Sequence, residues 1–353
     1  MNPLFSNKGY PQEKITIVEG DTIISEDKKV AETMNNFYNI AVKNLGIEQN
    51  TGYEQYVDDI DDPVDAAILK FKNHPSILKI KEIVKAENIE PFDFIKISTA
   101  EMEAEIMKLN VKKATTFKNI PPKILKRSVN VCSPILQDIL NSAFDSNEFP
   151  VKLKLADVYS VFKKDDTTRK ENYRPVSVLP TISKPFERIM QNQIGDYMNK
   201  NLSHFLCGFR KGYSAQHALL ALIEKWKSSL DKNEYAGAVL MDLSKAFDCL
   251  NHDLLLAKLH AYGFSKNSLA FIRSYLKNRW QRAKINTSFS TWSELLLGVP
   301  QGSVLGPLFL NIYINDLFWF IDHCDICNFA DDTTPHTCDQ DLDTLLKNWN
   351  MIP

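Results

Sequence analysis

Residues Cys324–Asp332 read CDICNFADD. The stretch is short, apolar and β-prone, and it ends in two adjacent carboxylates, Asp331 and Asp332. Neighbouring aspartates repel each other and solvate poorly against apolar residues. A strand that delivers them at its tip therefore points to a cation. Alone the signal is weak, because an Asp-Asp pair also occurs in loops and at helix N-termini.

Two upstream stretches strengthen it. Ala236–Asp248, AGAVLMDLSKAFD, runs small and apolar residues into Asp242, the pattern of a buried strand with a carboxylate at its end. Gly298–Pro307, GVPQGSVLGP, is a Gly/Pro turn that opens an apolar helical pattern through Leu308, Phe309, Ile312, Tyr313, Ile314 and Leu317. Such a turn brings backbone close to a ligand.

In this order the three stretches resemble motifs A, B and C of a reverse transcriptase. Asp242 with Phe247 is similar to motif A, Pro300-Gln301-Gly302 to motif B, and Phe329-Ala330-Asp331-Asp332 to motif C. Asn172–Ser177 (NYRPVS) and Gly208–Ser214 (GFRKGYS) resemble finger motifs of non-LTR (LINE-type) retrotransposon polymerases, whose wording of motif A matches Asp242–Asp248. Small departures are Ala215, where a Thr is common, and Lys164-Asp165, where a Lys-Gly pair is usual. The resemblance covers about 155–350.

It implies an α+β fold, the fingers and palm of a right-hand polymerase, with an antiparallel palm sheet packed on helices. Residues 1–150 are expected to form a mostly helical linker region and 151–353 the polymerase domain. The implied reaction is RNA-templated DNA synthesis, with nicked target DNA as primer and dNTPs as substrates. Two divalent ions, Mg²⁺ with Mn²⁺ as a substitute, would serve nucleotidyl transfer and require hard oxygen ligands. By resemblance Asp242, Asp331 and Asp332 are the catalytic carboxylates and metal ligands, and the Leu243 carbonyl completes the set. Phe247 would exclude a 2′-hydroxyl, Gln301 and Gly302 would line the nucleotide pocket, and Arg210 would hold the triphosphate with its planar fork. Lys163, Lys164 and Arg174 are candidate template contacts. The plain alternatives stay open: a helix N-cap for Asp242, core packing for Phe247, a turn for Gly302 and ordinary surface charge for the cations.

Charge distribution agrees with a nucleic-acid partner. The net charge is −2, yet residues 151–300 hold 23 Lys and Arg against 13 Asp and Glu. A basic block can neutralise phosphates, although solvated helix faces give the same count. No apolar run reaches a membrane span of roughly 18 residues, and the N-terminus lacks the apolar core of a secretory signal. Six cysteines over this length suggest reduced thiols. An intracellular location, nucleus or cytoplasm, is expected.

In chain order, Lys14–Ser25 reads as a hairpin around Gly20-Asp21, and Glu26–Leu45 as an amphipathic helix whose stripe, Val30, Met34, Phe37, Tyr38, Ala41, Val42 and Leu45, reads as core or docking surface. Glu48–Asp65 is an acidic linker candidate. Helical pieces follow near Ala66–Phe71, Ile77–Ala86, Lys123–Ser128 and Ser133–Ser146, and Ser98–Glu101 is a capping box. A strand is expected over Leu155–Phe162 and an extended run over Asn172–Pro180. Helices are expected over Ile182–Met198, Ala215–Leu230, His252–Ala261 and Lys266–Asn278. A hairpin over Arg279–Leu297 turns at Thr287-Ser288, and a last helix starts near Gln340.

Two rival readings remain. Cys324, Cys327, His336 and Cys338 can be read as a zinc site, but the His-x-Cys pair is tight, and on a strand Cys324 and Cys327 fall on opposite faces. The second rival is an inactive element relic acting at most as a nucleic-acid-binding module. The chain stops at Pro353, so the thumb is expected to be absent or on another polypeptide, and an element-encoded endonuclease would be a separate partner.

Overall fold

The computed structural model describes residues 14–43, 54, 60–85, 90–112, 119–243, 245–321 and 324–350. The acidic linker candidate lies mostly outside them, as do Leu45 and Ser244.

The N-terminal hairpin is β1 (Ile17–Glu19) and β2 (Thr22–Ile24), with Gly20 at the positive φ that the tight turn requires. Helix α1 (Asp27–Lys43) follows, then α2 (Pro63–Lys70), α3 (Pro75–Lys85), α4 (Thr99–Met107), α5 (Pro122–Arg127) and α6 (Val129–Ser146). The capping box forms in full: Glu101 N donates to Ser98 Oγ, and Ser98 N donates to the Glu101 carboxylate.

Next come β3 (Leu155–Phe162), β4 (Tyr173–Val178), α7 (Ser183–Met198), α8 (Ala215–Asp231), β5 (Tyr235–Ala238) and β6 (Met241–Asp242). The chain continues through α9 (His252–Ala261), α10 (Lys266–Leu276), β7 (Arg279–Ile285), β8 (Ser288–Phe289) and β9 (Ser293–Leu295). It finishes with α11 (Gly306–Ile314), β10 (Asp325–Phe329), β11 (Asp332–Asp339) and α12 (Leu342–Asn350). The hairpin between β7 and β8 turns at Asn286-Thr287, one residue earlier than expected, with Asn286 at φ 52°.

The result is a mixed α+β molecule. One sheet runs β4-β3-β7-β8, with β9 also paired to β7; β3 and β7 are parallel and the other pairs antiparallel. The other is antiparallel throughout, β10-β11-β5, with β6 also on β11. β5 and β6 keep a single register on β11, and the break at Val239-Leu240 lies opposite Pro335 and Thr334. Pro335 has no N–H to donate and contributes only its carbonyl, which accepts from Val239 N.

This edge position corrects one expectation. The run leading to Asp242 is not buried: Leu240 is 86% exposed, and Val239 and Met241 are also open to solvent. Among the described residues the strand has a partner on one side only, β11, so an apolar run here does not mean burial on both faces.

The main hydrophobic core draws Val64, Ile80, Met102 and Leu140 together with Phe186, Leu255, Phe271, Phe309 and Ile326. It crosses residue 150 without a break. A second cluster joins Ile17, Val30, Met34 and Tyr38 to Val158, Tyr173, Ala283 and Ile285, seating the hairpin and α1 on the mixed sheet. Among the described residues no helix is long and apolar enough to cross a membrane.

Candidate active site

The apolar strand patterns deliver their carboxylates to one place. Asp242 ends β6, and β11 begins at Asp332 directly opposite it in the antiparallel register. Asp331 sits in the turn between β10 and β11, where Ala330 adopts φ 63°. The two strands are tied at this point by Leu243 N, which donates to Asp331 O at 3.4 Å. Asp242 and Asp332 are exposed and Asp331 is half-buried.

The turn is braced from within and below. Asn328 is fully buried, and its Nδ2 donates to the carbonyls of Ala330 and Asp332 and to Thr333 Oγ1. Under the turn lies Gly208. Cys207 N donates to Asn328 O, and Asn311 Nδ2 donates to Gly208 O.

The turn of motif B is fixed against motif A in the same way. Gly298 N donates to Leu250 O and Val299 N to Phe247 O, both at 2.8 Å. His252 Nε2 donates to Gly298 O at 2.7 Å, since a carbonyl can only accept. Burial holds that imidazole down to about 4, so it is neutral, with Nδ1 lacking a hydrogen-bond partner among the described residues. Further along, Val304 N donates to the fully buried Glu187, whose carboxyl is raised by burial and partly restored by Arg279.

A cleft of about 570 Å³ opens between the two sheets. Asp242, Leu243, Asp331, Phe247 and Gln301 line it. Lys163 and Arg174 line it too, from the end of β3 and from β4. Phe247 is half-buried and its ring stands edge-on to Phe209, centroids 6.1 Å apart.

Four of the sequence-derived site residues do not line this cleft. Lys164 is exposed beside it, and Asp332, also exposed, pairs with Asp242 in the ladder without lining the cleft. Gly302 has φ 111°, and a Cβ there would lie 2.8 Å from Ser177 O, so close approach of β4 already demands glycine. Arg210 spends its guanidinium on the carbonyls of Ser203, Leu206 and Asn199 and stacks on Tyr213. In this structure Arg210 holds its own loop.

Other lining residues carried no warning of their position. Phe37 and Tyr38 reach the cleft from α1, with Tyr38 donating to Ser160 Oγ at 2.8 Å. The ammonium groups of Lys170 and Lys245 lie 5.6 and 5.4 Å from the Phe37 ring centroid. A stripe at helical spacing reads as core, and nothing local tells that its helix packs beside a distant strand. Asp248 also lines the cleft and accepts from Gln301 Nε2 at 2.9 Å.

The donor set suits a hard cation, being carboxylate oxygens that converge on one cleft. No group of three or more His, Cys, Asp or Glu is gathered as a ready-made metal cage among the described residues. That covers the rival zinc set as well: the ladder places Cys327 opposite Thr334 and Asp325 opposite His336.

Comparison with known proteins agrees with this geometry. A family profile described as "Reverse transcriptase (RNA-dependent DNA polymerase)" matches residues 161–351. The chain is 32% identical over 228 residues to the probable RNA-directed DNA polymerase from transposon BS of Drosophila melanogaster, covering 63% of this chain and 25% of that protein. It is 28% identical over 247 residues to the RNA-directed DNA polymerase from mobile element jockey of the same species, covering 67% and 27%. A third relative, the probable RNA-directed DNA polymerase from transposon X-element, is 31% identical over 182 residues, covering 51% and 20%. The chain spans about a quarter of the length of these relatives.

Proposed function

The chain belongs to the reverse transcriptase family, and on that premise we propose that it is an RNA-directed DNA polymerase of a non-LTR (LINE-type) retrotransposon. The antiparallel sheet carrying Asp242 and Asp331 is then the palm, and the mixed sheet carrying Lys163 and Arg174 belongs to the fingers. An RNA template, a DNA primer and dNTPs are the partners and substrates. The observation that carries this reading is that Asp242, at the end of β6, and Asp331, in the turn between β10 and β11, line one cleft together with Phe247, Gln301 and the cations Lys163, Arg174 and Lys245.

Each residue has a role that follows from its chemistry. Asp242 and Asp331, with Asp332 and the Leu243 carbonyl beside them, would hold divalent Mg²⁺. Bound there, the ions would supply Lewis-acid stabilisation of phosphoryl oxygens and a more acidic primer 3′-hydroxyl. Lys163 and Arg174 offset phosphate charge at the cleft wall. Phe247 presents an aromatic edge where a sugar 2′-hydroxyl would have to fit. Gln301 offers an amide to the nucleotide.

The test is primer extension on an annealed RNA template with dNTPs and Mg²⁺, alongside Asp331→Asn and Asp242→Asn. Extension by the wild type that falls by at least about a thousandfold in either variant is the expected outcome. Equal extension by variants and wild type would remove the carboxylates from the chemistry. Folded wild-type protein that binds RNA in a salt-sensitive way without extending a primer would favour a nucleic-acid-binding role instead.

A further inference from the structure

Asp248 lies in the cleft, and the motif resemblance gives it no role. Its backbone is fixed: Asp248 N donates to Lys245 O at 2.8 Å, and its carbonyl lies 2.6 Å from where a Cβ on Gly298 would stand. The backbone of Gln301 is fixed as well, because its carbonyl accepts from Ser177 N at 2.8 Å. What remains to be set is which way the Gln301 amide faces. Gln301 Nε2 donates to Asp248 Oδ2 at 2.9 Å. An ionised carboxylate only accepts, so it admits the nitrogen end of the amide and turns Oε1 away from itself.

We propose that Asp248 is a positioning residue that fixes the amide orientation of Gln301, and thereby the donor and acceptor that an incoming deoxynucleoside triphosphate meets in the cleft. This rests on the polymerase reading of the same cleft. Asp248 acts through Gln301, whose amide it holds by the hydrogen bond from Nε2.

The pair is also sensitive to pH. Burial raises the Asp248 carboxyl to about 6, against the hydrogen bond from Gln301 and the nearby Lys245 ammonium, which lower it. The other titratable groups around it are the Cys249 thiol, the Tyr38 phenol on α1, and Lys163, Glu171, Tyr173, Arg174, Asp242 and Asp331 on the cleft walls. A protonated Asp248 can donate as well as accept, so it also admits the amide with Oε1 turned toward it, and the single orientation is lost. Nucleotide affinity should therefore weaken as pH falls through the titration of Asp248.

The experiment is equilibrium binding of a fluorescent deoxynucleoside triphosphate with Mg²⁺, at pH 7.5 and 5.5, to the wild type, Asp248→Asn, Gln301→Leu and the double variant. Carbon-detected NMR of the aspartate carboxyls runs in parallel. Asp248→Asn should weaken binding by about tenfold, the worth of one ordinary hydrogen bond, and lose the wild type's pH dependence. The double variant should bind no worse than Gln301→Leu alone, because the two residues act as one unit. Wild-type affinity in Asp248→Asn, or losses that add in the double variant, would overturn the proposal. Absence of nucleotide binding by folded wild type would overturn the polymerase reading, and the pairing would still be read by NMR. There Gln301→Leu should move the Asp248 titration upward, and an unmoved titration would show that the amide does not face the carboxylate.

Discussion

Gly208 supports the turn that carries Asp331: a Cβ built on Gly208 would stand 2.2 Å from Ala330 N and 2.7 Å from Ala330 Cα. Both atoms are backbone, so no flexible side chain can yield. Gly208→Ala should displace the turn or the loop beneath it. The expected cost is about 1–3 kcal/mol of stability, as for other overpacked sites. Extension activity should fall more than stability does, because Asp331 moves with the turn. Denaturant unfolding together with primer extension separates the two effects. A variant with wild-type stability and activity would show that the loop and turn are not in this contact.

Burial of His252 makes the motif B turn sensitive to acid, and the hydrogen bond it donates to Gly298 O works against that effect. Burial is the main cause that holds the imidazole at about 4, against an ordinary 6.5. Between these values the unfolded chain takes up a proton that the folded chain refuses, so stability is lost as pH falls through that window. The full depression is worth about 3 kcal/mol. Asp248 acts in the opposite sense. Its folded value of about 6 exceeds the ordinary 3.8, so it favours the folded state as pH falls through that range. A comparison of variants isolates the histidine. In His252→Gln the loss of stability between pH 6.5 and 4.5 should be shallower than in the wild type, measured by urea unfolding. Parallel curves for the two proteins would place the titration elsewhere.

The carboxylate pairing was legible because two strand patterns each run into an aspartate, and with the Gly/Pro turn between them they resemble a known order of motifs. The capping box at Ser98 was legible because it is local. What was not legible depends on partners far along the chain. An apolar run such as Val239–Met241 reads as buried unless one knows that its strand lies at the sheet edge beside Pro335. Tyr38 enters the cleft through packing of α1 on β3 and β7, which no helical stripe announces. The planar fork of Arg210 suits a cluster of carbonyls as well as a phosphate, and only the loop 199–206 decides between them. Asp248 stood in plain view within motif A, but its role lies in a hydrogen bond to a residue in another motif.

Phe247 offers a test of sugar discrimination that does not depend on overall rate. Its ring lines the cleft beside Asp242 and rests edge-on against Phe209. Phe247→Val keeps a branched apolar group at the position and opens the space the ring fills. Ribonucleotide incorporation relative to deoxynucleotide incorporation should rise by on the order of tenfold to a hundredfold, measured as a ratio of kcat/KM values. An unchanged ratio would reduce Phe247 to a packing residue.

Lys258 and Asp316 form a buried ion pair at 2.5 Å, both about 4% exposed, where α9 meets the turn after α11. Lys258 Nζ also donates to Tyr313 O at 2.6 Å. Burial lowers the Lys258 ammonium and the Asp316 carboxylate opposes it. Taking both charges from water is costly, so the pair itself adds little net stability, yet a lone survivor is a buried, unpaired charge. Lys258→Met should therefore cost about 3–5 kcal/mol. The double variant Lys258→Met with Asp316→Leu should recover much of that loss, because no charge is left stranded. Urea unfolding of the single and double variants reads both values. A double variant no more stable than Lys258→Met would mean that the hydrogen bond to Tyr313 and the shape of the site, rather than the stranded carboxylate, account for the cost.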